Sequence, residues 1–234
     1  PMTYTSTSYD ALYMHEVETE NLIKSGREWY QPISVLTSIT INPGLTDVIT
    51  SEKMEYKIRV AARASISTII RLYENSNVIA GLLVPEVYLL SSTGTYANIG
   101  EQSVSSFPAS SSPTYELKFY NNGEQGALGW IDYIRMRGRA LLNFTGKILK
   151  FSDAKSIQTG RITEFTVKST LSDVKIWDVT DPFNLQNISY TKTGDNLIFK
   201  SKTDSLRTFI AFTNDKAVTP SINLSPVSRQ NIHG

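Results

Sequence analysis

The sequence predicts an all-β protein, an antiparallel β-sandwich or jelly roll built from two β lobes. Apolar residues alternate with polar ones over a long stretch that begins at Lys57 and ends at Glu74, the period-two pattern of a half-buried strand. Other short β-rich segments follow one another at spacings of about 8–12 residues with turn signals between them, as in sandwiches and jelly rolls. No stretch carries a sustained helical period.

The segment Lys57–Glu74 carries the strongest of these signals. Its length exceeds that of an ordinary strand at about 3.3 Å per residue, so we expect a bend or bulge near Ala61–Ser65. A turn is predicted at Glu74-Asn75-Ser76-Asn77. The alternation predicts these inward-facing side chains: Ile58, Val60, Ile66, Ile70 and Leu72.

Similar patterns predict the remaining strands. In the first half they are Ser34–Asn42, Val84–Leu90, Tyr115–Phe119 and Leu128–Arg137, with a turn at Asn121-Asn122-Gly123 before the last of these. The Ser-, Thr- and Gly-rich stretch Ser91–Pro113 is predicted as a surface loop. In the second half they are Lys147–Phe151, Glu164–Ser169, Asp173–Asp178, Gln186–Thr191, Leu197–Lys202 and Leu206–Thr213.

The length of 234 residues allows one large β domain or two smaller ones. We expect a lead-in at 1–25, a jelly-roll-like domain at 26–145 and a second small β domain at 146–222, with the boundary near Leu142–Gly146. The polar stretch 223–234 is expected to be a linker toward a missing catalytic domain.

The composition bears on several classes of function. With 23 basic and 22 acidic residues the net charge is +1, which gives no strong field toward nucleic acid. The longest apolar run, Val78–Val84, is far shorter than the ~18 residues of a membrane helix. There is no cysteine, which excludes disulfides, thiolate metal sites and a cysteine nucleophile in this chain and fits an exported bacterial protein.

No catalytic constellation is visible. The two histidines, His15 and His233, lie near opposite ends of the chain, whereas a triad or a histidine metal site needs a supported histidine beside its partners. No glycine-rich phosphate loop follows a strand and opens a helix. We therefore predict no catalytic residues and no enzyme activity for this chain.

Four aromatic residues are candidate binding residues, because exposed tryptophan and tyrosine rings form sugar platforms. In β proteins such rings also serve as core or interface anchors, and both interpretations stay open. The four are Trp29, Tyr30, Trp130 and Trp177.

Asp132 is the one candidate metal ligand. If it faces inward beside Trp130 it needs hydrogen-bond partners or a cation. Jelly-roll modules hold structural calcium with oxygen ligands, and Asn121, Asn122 and Glu124 are close in sequence. Apart from this calcium, or a hydrogen-bonded structural role for Asp132, we expect no cofactor.

Four sequence stretches, taken in order, carry a family resemblance. They are His15-Glu16 with Asn21 and Ser25-Gly26-Arg27-Glu28-Trp29-Tyr30, then Gly129-Trp130-Ile131-Asp132-Tyr133-Ile134, then Ile176-Trp177-Asp178-Val179-Thr180-Asp181-Pro182, and finally Asn231-Ile232-His233-Gly234. They resemble landmarks of the PorU-type sortases of the bacterial type IX secretion system, which carry a gingipain-like cysteine peptidase domain. The last of the four resembles the junction at which that peptidase domain begins.

The resemblance implies a parent protein at the bacterial cell surface that removes the C-terminal signal of secreted cargo and attaches the cargo to anionic lipopolysaccharide. The family's catalytic cysteine and histidine belong to the downstream domain, so neither role transfers to this chain. The partners implied are that peptidase domain, type IX secretion components, cargo signal domains and lipopolysaccharide.

Two functions stay open: a non-catalytic scaffold and docking region of such a sortase, or a carbohydrate-binding jelly roll that recognises a surface glycan. The aromatic residues discriminate between them. Exposed, coplanar rings on a concave face favour glycan binding, whereas buried rings with a separate apolar patch favour docking.

Overall fold

Seventeen β-strands form four sheets in the described part of a computed structural model, which comprises residues 3–24, 26–90 and 93–217. The predicted linker 223–234 and His233 lie outside these residues. The first ten strands are β1 Thr3–Ser6, β2 Ser8–Glu16, β3 Gln31–Ile33, β4 Ile39–Ile41, β5 Met54–Arg63, β6 Thr68–Glu74, β7 Asn77–Val84, β8 Asn98–Ser106, β9 Tyr115–Tyr120 and β10 Leu128–Leu141. The others are β11 Leu149–Ser152, β12 Ile162–Lys168, β13 Val174–Asp178, β14 Gln186–Asn187, β15 Thr191–Thr193, β16 Asn196–Lys202 and β17 Thr208–Thr213.

The first sandwich is a jelly roll. One sheet has the order β2-β10-β5-β8, with β3 also pairing with β10, and the facing sheet has the order β4-β9-β6-β7. All pairs in these sheets are antiparallel. Apart from the additional strand β3, the eight remaining strands pass between the two sheets in the order of the two interlocked Greek keys of a jelly roll.

Side-chain alternation fills the space between these two sheets. On β5 the even-numbered residues Met54, Tyr56, Ile58 and Val60 point inward, and they meet Ile70 and Leu72 of β6 across the core. Because successive side chains of a strand point to opposite faces, the odd-numbered residues of β5 are left on the outer face of the sheet.

The long alternating segment is divided between the two sheets. β5 ends at Arg63 in one sheet and β6 begins at Thr68 in the other, so the chain crosses between sheets where a bend or bulge near Ala61–Ser65 was predicted. Ile58, Val60, Ile70 and Leu72 are buried as predicted. The prediction for Ile66 is wrong: it lies in the crossover and is 42% exposed, because the alternation is interrupted there.

Two other predictions for the first half are corrected. The predicted loop Ser91–Pro113 contains β8, a polar strand that pairs only with β5 at the edge of its sheet. The predicted strand Val84–Leu90 is displaced, because the strand β7 ends at Val84. β7 begins directly after Asn75 and Ser76. The positive φ angles of these two residues, 46° and 67°, form the tight hairpin turn between β6 and β7.

The second sandwich packs the sheet β1-β12-β16-β15 on the sheet β11-β17-β13-β14. Four phenylalanines dominate its core: Phe151, Phe165, Phe199 and Phe209 lie with neighbouring ring centroids 5.0–6.4 Å apart. Leu142 and Phe144 belong to this core too, so the chain changes sandwich directly after β10. The predicted all-β fold with two β lobes is confirmed.

The N-terminal segment takes part in both sandwiches. β1 pairs in parallel with β12 of the second sandwich, and β2 pairs with β10 of the first. Residues 1–25, expected to be a lead-in, therefore contribute one strand to each lobe, because the pairing partners lie far along the chain. Among the described residues, no helix has the length and apolarity needed to span a membrane.

Candidate functional site

Two of the four candidate aromatic residues are buried. Trp130 and Tyr30 are each 3% exposed, and they form a small cluster with Ala61 on the outer face of the jelly-roll sheet. The indole N–H of Trp130 donates to Glu20 at 2.8 Å, and the backbones of Glu20 and Tyr30 are paired. The two rings anchor the segment between β2 and β3 to the sheet, and they offer no surface to a ligand.

The other two candidates lie on different sandwiches. Trp29 is partly exposed beside Tyr30, and Trp177 is 37% exposed on β13 of the second sandwich. The four rings therefore do not form one platform. Their role as binding residues stays a prediction for Trp29 and Trp177, whereas Trp130 and Tyr30 have the environment of packing residues.

Asp132 has a cation from the protein itself. Its carboxylate accepts from the guanidinium of Arg59, which also donates to Glu28 at 3.0 Å. The hydroxyl of Tyr30 donates to Glu28 at 2.9 Å. The hydrogen bonds from Tyr30 and Arg59 lower the pKa of Glu28, whereas burial and the bond to Glu28 raise the pKa of Tyr30 to about 12.

The residues suggested as further calcium ligands are engaged elsewhere. The carboxylate of Glu124 accepts from the backbone N–H groups of Ser65 and Ile66, and Asn121 donates to the carbonyl of Glu124. Asn122 donates to a carbonyl in the crossover. In the parts of the chain that the structure describes, no group of three His, Cys, Asp or Glu residues could hold a metal ion, so calcium at Asp132 stays a prediction without geometric support.

A buried ionic network joins the two sandwiches. Arg139 of β10 donates to Asp10 of β2 at 2.9 Å, to Asp153 of the second sandwich at 2.8 Å and to the hydroxyl of Ser8 at 2.6 Å. The hydroxyl of Ser6 on β1 donates to Asp153 at 2.7 Å. We call these five residues the junction network.

The junction network contains two carboxylates and one guanidinium, and backbone N–H groups stabilise the additional negative charge. The backbone N–H of Ala154 donates to Asp10 at 2.7 Å, and that of Lys155 donates to Asp153, which caps the short turn Ala154–Ser156. Burial alone would lower the pKa of Arg139, but the bonds and charges of Asp10 and Asp153 raise it above its ordinary value. The junction is thus a fixed contact between the lobes.

An apolar area lies on the outer face of the second sandwich. The ring of Trp177 packs edge-on against Phe212 with centroids 5.2 Å apart, and Trp177 lies opposite Ile210 in the register of β13 and β17. The loop that follows β13 adds Phe183, which is 98% exposed, and Leu185. We call these five residues the Trp177 face.

A cleft of about 1170 Å³ separates the outer face of the jelly-roll sheet from the second sandwich. Its floor includes Lys57 of β5 and Arg135 and Arg137 of β10, and its opposite wall carries Lys150 of β11 and Lys147 just before that strand. Two carboxylates line it, those of Asp10 and Glu55. We call this space the interlobe cleft.

Sequence reasoning did not find the interlobe cleft. The one sequence feature that pointed to the cleft is the spacing of Arg135 and Arg137, which places both on one face of a predicted strand. The lysines of the opposite wall belong to the other sandwich, and only the packing of the lobes brings them there. His15, the other polar candidate, contacts Gln31 through its Nε2 at 2.7 Å.

No family model and no curated protein matches the sequence. The crystal structure of dimeric latent PorU from Porphyromonas gingivalis matches 94% of this chain with a TM-score of 0.70 and 15% sequence identity. The chain shares its fold with a part of PorU. It spans 22% of that protein's length.

A second solved structure, a cycloisomaltooligosaccharide glucanotransferase of a Paenibacillus species complexed with cycloisomaltoheptaose, aligns with 88% of this chain and 45% of its own at 10% identity. Its TM-score of 0.30 does not indicate a shared fold.

Proposed function

We propose that this chain is a non-catalytic scaffold and docking region of a PorU-type cell-surface sortase. The observation that carries the proposal is the shared fold, which extends over 94% of the chain and includes both sandwiches. The four family-like sequence stretches support it independently. The whole protein would cleave the C-terminal signal of type IX secretion cargo and attach that cargo to anionic lipopolysaccharide at the outer membrane.

The chemistry of the chain supports a non-catalytic role. A cysteine peptidase attacks its substrate with a thiolate, and this sequence has no cysteine. The side chain of His15 is hydrogen-bonded to Gln31 rather than to a nucleophile. In this proposal the nucleophile and its base come from the peptidase domain of the same protein.

The Trp177 face is the proposed docking surface, and its occupant is that peptidase domain. Interfaces have an apolar centre in which aromatic residues are enriched, with a polar rim. In this proposal the exposed residues Trp177, Phe183 and Leu185 supply such a centre, and Lys175, which is exposed on the same strand as Trp177, belongs to the polar rim. An exposed aromatic as prominent as Phe183 leaves apolar area in water that a bound partner would cover.

The aromatic criterion favours docking over glycan recognition. Trp130 and Tyr30 are buried in a packed cluster, whereas Trp177 is partly exposed on a separate apolar patch. The sequence leaves Trp29 and Tyr30 open as interface anchors. The burial of Tyr30 means that its truncation would damage the fold, so the docking test belongs at Phe183 and Trp177.

The test is calorimetric titration of this chain with a separately expressed peptidase domain. Phe183→Ser and Trp177→Ala should each weaken binding by about 2 kcal/mol, about thirty-fold in Kd, as truncation of interface anchors does. Leu36→Ser is the matched control, because Leu36 is an equally exposed apolar residue, 89% exposed, on a loop of the first sandwich.

The same titration is repeated with a cargo signal domain and with purified lipopolysaccharide. If Phe183→Ser and Trp177→Ala leave the Kd for the peptidase domain unchanged, the docking surface lies elsewhere on the chain. Binding of lipopolysaccharide alone, abolished by Trp29→Ala or Trp177→Ala, would replace docking by glycan recognition.

A further inference from the structure

The interlobe cleft holds an excess of positive charge that the described residues neutralise only in part. Five lysine and arginine side chains line it against two carboxylates. Asp10 is already engaged by Arg139 of the junction network. Of the cations, Lys57 pairs with Glu101 at 2.7 Å. Across the described ranges, Arg135 and Arg137 form no ion pair.

The register of the jelly-roll sheet places two of these cations opposite each other. Arg135 lies directly opposite Lys57 on β5 and opposite Met14 on β2, so neither of its neighbours across the sheet is acidic. Like charges opposite each other on adjacent strands destabilise a sheet. Glu101 compensates Lys57, and Glu55 lies opposite Arg137. Arg135 is left without an acidic neighbour across the sheet, and an anionic ligand in the cleft would supply its counter-charge.

The spacing of the two arginines suits an extended peptide. Arg135 and Arg137 are two residues apart on one face of β10, so their positions are about 6.7 Å apart, the two-residue repeat of a strand. Acidic residues at alternate positions of an extended peptide have the same repeat. Guanidinium groups bind carboxylates through paired, charge-assisted hydrogen bonds.

The remaining lining favours a peptide over a polysaccharide. Tyr56 and Phe151 are buried in the two cores, and the half-buried Tyr9 packs against the second core, so none of these aromatic residues is an exposed platform for a sugar to stack on. The exposed apolar groups are aliphatic: Leu12 on the floor, with Ile148 and Leu206 on the opposite side. Aliphatic groups between cations suit a chain that alternates acidic and apolar side chains.

We infer that the interlobe cleft binds an extended acidic peptide segment, with Arg135 and Arg137 holding carboxylates at alternate positions. This inference goes beyond the docking function and does not depend on it, because the cleft and the Trp177 face are different surfaces and the test needs no peptidase domain.

The test uses the whole chain and a fluorescent decapeptide that alternates glutamate with valine, with anisotropy as the readout. Arg135→Gln/Arg137→Gln should weaken binding at least ten-fold, and raising NaCl from about 0.05 M to 0.5 M should weaken binding to the unaltered chain, because salt screens exposed charges. The Lys24→Gln variant is the matched control: it removes an exposed cation outside the cleft and should leave the affinity unchanged. Thermal unfolding of each variant verifies that it is folded.

Two other probes complete the experiment. The same decapeptide with glutamine in place of glutamate should not bind, and dextran sulfate should bind more weakly than the acidic peptide. Absence of acidic-peptide binding, or equal binding by the double variant and the unaltered chain, would overturn the inference. Dextran sulfate binding that is stronger and is lost in the double variant would also overturn it, in favour of an anionic polysaccharide.

Discussion

Removing Arg139 should destabilise this protein more than any exposed arginine would. The change is Arg139→Met, which keeps much of the side-chain volume but deletes the guanidinium. Asp10 and Asp153 then stay at the buried junction without their cation. Loss of one partner from a buried ionic contact costs about 3–5 kcal/mol, because the remaining charge is uncompensated.

The structure places the expected cost within that range. The guanidinium makes two charge-assisted bonds to carboxylates, each worth about 1.5–3 kcal/mol. The backbone and hydroxyl donors to Asp10 and Asp153 persist in the variant and reduce the penalty. We expect a loss of about 4 kcal/mol in the free energy of unfolding, or about 8–16 °C in Tm for a chain of this size.

Calorimetry and urea unfolding measure this loss, and tryptophan fluorescence resolves where it occurs. Trp130 reports the first sandwich and Trp177 the second, so single-tryptophan variants can follow each lobe. Because the junction network connects the lobes, we expect coincident transitions in the unaltered chain and separate ones after Arg139→Met. Adding Asp153→Asn to Arg139→Met should restore part of the stability, since it removes one of the unpaired charges.

Arg135→Met is the control, because Arg135 lies on the same strand but is exposed. It should change the free energy of unfolding by about 0.5 kcal/mol or less. A loss below about 1 kcal/mol for Arg139→Met, or no recovery with Asp153→Asn, would show that the network does not hold the lobes as described.

Three further predictions concern the jelly roll. Ile66→Asp should change the free energy of unfolding by less than about 1 kcal/mol, because Ile66 lies in the exposed crossover, whereas Ile70→Ala should cost about 2–5 kcal/mol through a core cavity; equal losses in urea unfolding would contradict this. Burial raises the pKa of Glu74 above its ordinary value of 4.5, so ionised Glu74 costs stability above its folded pKa and the cost disappears below about 4.5. Glu74→Gln should therefore increase stability at pH 7 and lose that advantage as the pH falls to about 4, and an advantage independent of pH would exclude burial of the charge as the cause. Gly138→Ala should cost about 1–3 kcal/mol, since its Cβ would approach the Cγ of Met54 to 2.6 Å; an unchanged Tm would show that Met54 can move aside.

Local sequence patterns predict strands well where one face of a strand is covered and the other is open. The alternation in β5 and β6 identified Ile58, Val60, Ile70 and Leu72 as core residues because a charged residue flanks each of them on at least one side. The same reasoning failed for β8, whose serines and glutamine carry little apolar signal. Its backbone pairing with β5 at the sheet edge, rather than side-chain burial, makes it a strand.

The candidate site was harder to predict than the fold. Trp130 and Trp177 both occur on strands, yet one is buried under the segment between β2 and β3 and the other is partly exposed. Nothing local distinguishes them, because their exposure depends on which other segment covers each sheet face. Asp132 was recognised as an unusual carboxylate, but its partner Arg59 lies 73 residues away.

The sequence by itself determined the all-β class, the main strands, the hairpin turns and the absence of a cysteine nucleophile, because each of these depends on residue type or on neighbours within a few positions. Tertiary structure alone decided that the long alternating segment crosses between two sheets, that Arg139 joins the lobes and that Arg135 lines one cleft with lysines of the second sandwich. These features arise from pairings between distant parts of the chain. A period-two pattern shows which side chains share a face, but the packing of the sandwiches decides what that face meets.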